Sequence, residues 1–300
     1  MIESIVLTNN VTGDKLPLSM TETPVYVLSN VSWGSVSGTH NAYSFVNQVG
    51  EYVTNTVLGT RDVSIQGYVI AENEALMNER KAFLNTFANP QQEIELQYKD
   101  YSLNFLPDAS IKWSTEYADN NDRFALFEID GYAPDPLFAS VTDNKLEMAN
   151  ATGGFYFPLV ISETPDPPGG LIFGTISNEL IANVYNGGAV SVGIEVVFKA
   201  KGTLTSPSIT HIGKQEFFKI NKGMVAGEEI RVNTVVGEKG VVGIIDGAEE
   251  NYFKYRDIDS SWIQLDVGDN YIRYNADEGI ENLQVQIYHK NKVLEVEQCY

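Results

Sequence analysis

Cysteine is almost absent from this 300-residue chain, which carries one thiol, at Cys299. A single thiol cannot close an internal disulfide, so the sequence predicts a fold stabilised by its hydrophobic core alone. Cys299 lies next to the last residue and is interpreted as an incidental exposed thiol. A reactive nucleophile would need nearby positive charge to stabilise the thiolate.

Basic residues are also scarce, with 20 Lys and Arg against 40 Asp and Glu, a net charge of −20 and a pI near 4.4. Binding to nucleic acid or to an anionic membrane surface needs clustered Lys and Arg, so this balance argues against both. The acidic residues are spread over both halves of the chain, which favours a general role in solubility over a charged tail.

Long apolar runs are missing. No stretch approaches the roughly 18 apolar residues that would cross a bilayer, so we expect no membrane insertion. The first residues, MIESIVLTNN, lack the basic and apolar segments of a secretory signal. We therefore expect a chain made in the cytoplasm.

Motifs that carry catalysis or phosphate binding are missing as well. There is no G-x-S-x-G, Walker or G-x-G-x-x-G sequence, and His40, His211 and His289 have no local Ser or Cys motif beside them. The Asx-rich stretches 119–122 and 257–259 lack calcium-loop spacing and are typical of turns. With 40 acidic residues, some pair of carboxylates at the spacing of a glycosidase site is expected by chance, so such a pair is no evidence of glycosidase activity. We predict no enzymatic activity, no metal and no cofactor.

What is present is a two-residue period of apolar and polar side chains along most of the chain, which predicts antiparallel sheets with one buried face. One helical segment interrupts it, with acidic residues at Glu72 and Glu74, apolar residues at helical spacing, and a stop at Asn89–Pro90. A tight hairpin turn is predicted at Lys99–Asp100. The fold class is therefore mainly β, an N-terminal sandwich with one α-helix followed by an all-β C-terminal domain.

The run 133–138, with prolines at 134 and 136, ends the last strand of the first domain, and a Gly- and Pro-rich stretch follows it, so a domain boundary is predicted after Phe138. We predict a first domain at 1–138, a linker or strap at 139–170, and a second β-sandwich of jelly-roll type at 171–300.

The aromatic residues, 11% of the chain, fall into two groups. Those in strand patterns are expected in the cores: Trp113, Phe124, Phe127 and Trp262. A second set lies in or beside residues 34–59, where Glu51 is the only formal charge: Trp33, Tyr43, Phe45 and Tyr52. This pattern fits either an extended hairpin arm covered by a neighbouring subunit or an ordinary edge hairpin.

The chain resembles the distal tail proteins of long-tailed bacteriophages (siphoviruses) that infect Gram-positive bacteria. The matching stretches keep their order over both domains; they are residues 61–67, 89–90, 98–101, 131–138, 201–209, 217–220, 227–230, 233–234, 237–239, 262–265 and 268–270.

The resemblance implies a virion component at the distal end of the tail. It implies that six first domains form a ring around a channel for DNA exit, with galectin-like second domains outside it. The implied partners are the tail tube protein above, the tail-tip (tail-associated) protein below, and receptor-binding or baseplate proteins. It implies no catalytic residues and no specific binding of nucleic acid.

The alternative is a carbohydrate-binding, lectin-like protein that contacts host cell-wall glycans. A sugar site would need an exposed aromatic platform flanked by amides and carboxylates. Trp262 is the only tryptophan in the second domain, and its strand pattern indicates a core position.

Overall fold

A computed structural model describes residues 4–21, 25–47, 49–148, 150–153, 174–177 and 180–296. The chain forms two compact units. It leaves the first unit after Thr142 and returns to it at Lys292, so that the second unit spans Asp143–Asn291. Cys299 and most of the segment predicted to be a linker lie outside the described residues.

The first unit is built from one large sheet. Its strands, with the two strands of a separate hairpin, are β1 (Ser4–Asn9), β2 (Lys15–Ser19), β3 (Tyr26–Ser32), β4 (Gly38–Tyr43), β5 (Tyr52–Leu58), β6 (Arg61–Ile70), β7 (Ile94–Tyr98), β8 (Tyr101–Pro107), β9 (Lys112–Trp113), β10 (Phe124–Ala133) and β11 (Phe138–Ser140). The sheet runs in the order β11-β8-β7-β1-β2-β3-β6-β10-β9, and a further pairing of β8 with β10 folds it back on itself. Alternate residues of β6 and β10 point into one core, as the two-residue period predicted.

The predicted helix is α1, Glu74–Phe87. Asn73 caps its start, where the side-chain oxygen accepts a hydrogen bond from the Leu76 amide at 3.0 Å. Its buried residues pack into the first core: Met77, Leu84 and Phe87. The predicted hairpin turn follows, with Lys99 at φ 53°, the left-handed conformation that two-residue hairpin loops require.

In its described residues, the second unit consists of strands and two short 3₁₀ helices, Phe253–Tyr255 and Ile280–Asn282. Its strands are β12 (Asn144–Glu147), β13 (Asn150–Gly153), β14 (Gly174–Ser177), β15 (Ile181–Asn186), β16 (Val192–Gly193), β17 (Glu195–Ala200), β18 (Leu204–Thr205), β19 (Ser208–His211), β20 (Glu216–Lys219), β21 (Gly223–Met224), β22 (Glu229–Asn233), β23 (Gly240–Ile245), β24 (Ala248–Asn251), β25 (Gln264–Leu265), β26 (Gly268–Asn275) and β27 (Leu283–His289). Two larger sheets, β12-β27-β17-β22-β23-β24 and β15-β26-β19-β20, bury their inner faces in one hydrophobic cluster. The mainly β fold class with one helix is thus confirmed.

The end of the described chain differs from the predicted second domain of 171–300. A last strand, β28 (Lys292–Val293), pairs with β11 and belongs to the first unit. The reason is local pairing: Phe138 lies opposite Val293, and Val296 is buried in the first core. The described part of 139–170 also contains strands, β12 and β13.

No helix of the described residues is long and apolar enough to span a membrane.

Candidate functional site: an exposed hairpin arm

Strands β4 and β5 form a two-stranded sheet that, within the described chain, pairs with no other strand. Every residue of both strands is solvent-exposed. An isolated two-stranded hairpin is marginally stable in water. We call residues 38–58 the arm, and its exposure makes it the part of the first unit best suited to contact another molecule.

The tip of the arm carries an aromatic cluster. The Tyr43 ring lies 5.1 Å from Phe45 and 5.4 Å from Tyr52, measured between ring centroids. All three rings are largely exposed, at 44%, 64% and 57% for Tyr43, Phe45 and Tyr52. Val46 and Val49 at the loop are exposed at 93% and 100%. The prediction that Tyr43, Phe45 and Tyr52 share an extended hairpin therefore agrees with their placement, and their role as subunit contacts stays a prediction.

Trp33 does not belong to this cluster, and its assignment to the arm is corrected. Its side chain is 1% exposed and packs in the first core against Tyr98 and Phe138, at centroid distances of 5.4 and 5.3 Å. Sequence that is poor in charge is found both in buried segments and in arms that another subunit covers. Composition therefore could not distinguish a core position of Trp33 from an arm position.

The base of the arm is held by Arg61, a fully buried side chain at the start of β6. One terminal nitrogen of its guanidinium donates to the carbonyls of Trp33 (3.3 Å) and Gly34 (3.2 Å). These residues precede β4, and Arg61 follows β5, so this side chain joins the two ends of the arm to the sheet.

A second exposed feature lies on the outer face of the four-stranded sheet in the second unit. Tyr185 on β15 and Tyr271 on β26 are exposed at 63% and 52%. Between them, the amide of Asn183 donates to Asp269 at 2.7 Å. Sequence reasoning missed this face because alternation predicts which residues share a side of a sheet, but not which side meets solvent.

Three of the expected core aromatics are not fully buried, and the first of them, Trp113, packs partly buried against the first core. Trp262 packs against Phe218 at 5.1 Å and stacks with Phe253 at 6.1 Å, at the margin of the second core. Phe124 is 37% exposed, because it begins β10 on the outer face of the sheet. The prediction for Phe124 was therefore wrong, while Phe127 is fully buried.

The histidines lie on strands. His40 on the arm is within 2.8 Å of the Thr56 hydroxyl, His211 bonds the Asn270 side chain at 3.0 Å, and His289 bonds the Tyr185 carbonyl at 3.1 Å. Within the residues described, no group of three or more His, Cys, Asp or Glu side chains could hold a metal ion.

A mainly β chain with two compact units and an uncovered aromatic arm has the features of a protein that acts by assembly. The comparisons give a family match for part of the second unit. Residues 187–292, most of the second unit, match the family of siphovirus-type tail components, C-terminal domain. No curated protein matches the chain significantly.

Solved structures are similar over nearly the whole length. The Dit protein (gp 19.1) of phage SPP1, described as a paradigm of the hub adsorption apparatus in phages that infect Gram-positive bacteria, aligns with a TM-score of 0.65 and 12% identity, covering 96% of this chain and 98% of its own. A chain of the phage P2 baseplate, solved in its activated conformation with Ca, aligns with a TM-score of 0.55 and 13% identity, covering 99% and 100%.

Residues 187–292 therefore match the C-terminal domain of siphovirus-type tail components, and the described fold is similar to that of the SPP1 protein. The predicted resemblance to the distal tail proteins is confirmed, since the described fold is that of the SPP1 protein and the second unit carries the family's C-terminal domain.

Proposed function

We propose that the chain is the hub at the distal end of the tail, where six copies close into a ring around a channel through which DNA leaves. The ring joins the tail tube protein to the tail-tip protein, and its second units, with a galectin-like sandwich, hold receptor-binding or baseplate proteins. The role is structural, with no catalytic step and no cofactor. The hub description of the SPP1 protein supports this proposal.

The observation that carries the proposal is the exposed arm on the first unit. Contiguous exposed aromatic and aliphatic side chains mark surfaces that another molecule covers, and aromatic residues are enriched at protein interfaces. If the covering surface lies elsewhere on an identical chain, the contact is head-to-tail and generates a ring when the rotation closes. The described parts of both units are packed β-sheets with hydrophobic cores, which suit a structural scaffold.

The acidic charge is consistent with a channel for DNA. A net charge of −20 in each copy would keep the wall from binding the phosphates that pass it. A map of the ring in which most carboxylates point away from the channel would remove this part of the proposal.

The test is the mass and shape of the purified full chain, by light scattering on a sizing column and negative-stain imaging. We expect a six-fold particle with a central hole. The triple variant Tyr43→Ser, Phe45→Ser, Tyr52→Ser should remain monomeric, whereas Tyr117→Ser, which alters a tyrosine 85% exposed outside the arm, should assemble as the parent does. Unchanged assembly of the triple variant would contradict the role of the arm.

Carbohydrate binding is the second candidate, and the face around Tyr185 and Tyr271 favours it. Those two residues are diagonal neighbours on adjacent strands, a relation that places the Cα atoms about 7–8 Å apart, and the Asn183–Asp269 pair lies beside them. Aromatic faces flanked by an amide and a carboxylate suit the apolar faces and hydroxyl groups of a sugar. Calorimetry of the full chain with oligosaccharides of glucose, galactose and N-acetylglucosamine tests it. Binding that Tyr271→Ala abolishes and Tyr117→Ala leaves intact would support a glycan site, and no heat with any of the three would argue against it.

A further inference from the structure

An apolar pocket of about 420 Å³ lies on the outer face of the first unit, at the end of β6 that is far from the arm. Its lining residues are Val27, Tyr68, Ile70, Ala71, Arg123 and Phe124. Ile70 and Phe124 are paired across β6 and β10 and are exposed at 42% and 37%. Tyr68 packs edge-on against Phe124 with their centroids 6.5 Å apart, which forms one wall.

The outer face of these strands changes character along its length. Near the arm it is largely polar, with Asp62 and Ser64 on β6 and Asp130 on β10, although Tyr132 on β10 is 39% exposed there. At the other end it is apolar, because Tyr68 and Ile70 take the outward positions. On this face, the apolar side chains that line a recess thus lie at the end of β6 opposite the arm.

The arm cannot be the cover for its own pocket as the chain is folded. Arg61, at the arm's base, begins β6, and Ile70 ends it, so the two sites are separated by roughly 30 Å at the rise of an extended strand. The arm tip and the pocket are both open to solvent within one chain. An apolar projection at one end and an apolar recess at the other are what a head-to-tail contact between identical chains requires.

The arm and the pocket also carry single charges of opposite sign. Glu51, beside Tyr52, is the only formal charge in residues 34–59. Arg123 is the only charged residue that lines the pocket. Within the described chain, neither side chain makes an ion pair. The anion on the arm and the cation at the pocket are therefore both available to each other when two copies meet.

We propose that the aromatic tip of the arm of one copy, Tyr43, Phe45 and Tyr52, seats in the Ile70–Phe124 pocket of the next copy, with Glu51 against Arg123. This inference rests on the proposed ring and specifies the contact that repeats around it. The occupant of the pocket is a second copy of this chain, and every copy gives one arm and receives one.

Cross-linking tests the contact directly. In a Cys299→Ser background, which removes the only thiol, Phe45→Cys chains are mixed with Ile70→Cys chains and treated with a short bismaleimide. We expect covalent dimers from the mixture and a ladder up to the full ring from the Phe45→Cys/Ile70→Cys double variant. Val11→Cys, at a turn residue 67% exposed, replaces Phe45→Cys as the control and should give neither product.

Charge reversal gives an independent measurement. Glu51→Arg and Arg123→Glu should each raise the protein concentration needed for half-assembly about two- to fivefold, as expected for one exposed ion pair. The double reversal should restore the parent value.

The outcomes separate the two proposals. A ring of the expected mass with no cross-linking above the Val11→Cys control, and no rescue by the double reversal, would overturn the arm-in-pocket contact and leave the hub intact. Monomers at every concentration tested would overturn both.

Discussion

Arg61 and Glu295 meet across 234 residues of sequence, with a guanidinium nitrogen 3.4 Å from a carboxylate oxygen. The two partners differ in surroundings, since the Arg61 side chain is fully buried and that of Glu295 is 55% exposed. Arg61 also donates to the carbonyls of Pro136, at 2.8 Å, and Leu294, and it lies over the Phe138 ring at 5.0 Å. One cation thus ties the base of the arm to the last described segment of the chain.

We expect Arg61→Met to destabilise the first unit by at least about 3 kcal/mol. The substitution leaves several buried carbonyls without a donor, each at a cost of about 1–3 kcal/mol. Glu295→Gln should cost less than about 1 kcal/mol, because the carboxylate it removes is exposed and Arg61 keeps its hydrogen bonds to the backbone carbonyls. Urea unfolding followed by tryptophan fluorescence measures both, and equal losses for the two variants would show that the ion pair, and not the carbonyl bonds, is what matters.

Gly243 and Gly240 on β23 offer a matched pair of glycines. A Cβ at Gly243 would stand 2.0 Å from the ring of Tyr252, which is 3% exposed, whereas the nearest atom to a Cβ at Gly240 is 3.8 Å away. Gly243→Ala should therefore cost about 1–3 kcal/mol through displacement of the ring. Gly240→Ala should be neutral or slightly stabilising. Thermal melts of the two variants compare them, and similar midpoints would show that Tyr252 moves without cost.

The parts of the fold that sequence could predict are those specified by neighbours along the chain. Asn73, Glu74 and the apolar spacing after them define α1, and Lys99–Asp100 between two alternating runs defines a hairpin. Trp33 shows the limit: its burial depends on Tyr98 and Phe138, which approach it only after folding. A charge-poor run has the same composition in a core and in an arm.

The return of the chain to the first unit could not be predicted for a related reason. Strand β28 has two residues, too few for a period, and its partner β11 is far away in sequence. The pocket proposed to receive the arm could not be predicted from the sequence, because Phe124 fits the pattern of a core residue. Phe124 is exposed only because it lies at the edge of the outer face of the sheet.

We expect the second unit to lose stability as the pH falls from 7 to 5 because of His289. Burial lowers its pKa below the ordinary value of 6.5, against the opposing effects of the Tyr185 carbonyl and the Asp143 charge. A depressed pKa in the folded state means that the unfolded chain takes up a proton first, so stability is present above pH 6.5 and declines below it. The slope cannot exceed about 1.4 kcal/mol per pH unit.

The measurement is the urea midpoint at pH 7, 6 and 5 for the parent and for His289→Gln. The variant should lose the part of the slope that His289 contributes, whatever its absolute stability. His40→Gln, a change at an exposed histidine on the arm, should keep the parent slope. A slope that survives in His289→Gln would assign the pH dependence to other groups.

The ion pair of Lys222 and Glu228 reverses the arrangement seen at Arg61, because here the anion is the buried partner. The Lys222 ammonium lies 2.6 Å from a Glu228 carboxylate that is 1% exposed, and the amide of Val225 donates to its other oxygen at 3.2 Å. Burial works to lower the pKa of Lys222, but the hydrogen bond and charge of Glu228 outweigh it and raise that pKa above its usual value.

Lys222→Met should therefore destabilise the second unit by about 3–5 kcal/mol, since it leaves a buried carboxylate without its cation. Glu228→Gln should cost less, because Lys222 is 20% exposed and can turn its ammonium towards water. The double variant Lys222→Met/Glu228→Gln should be more stable than Lys222→Met alone, since the uncompensated charge is gone. Urea unfolding of the three variants measures this coupling. If the losses in free energy of unfolding of the two single variants add up to that of the double variant, an unpaired Glu228 carboxylate carries no extra cost.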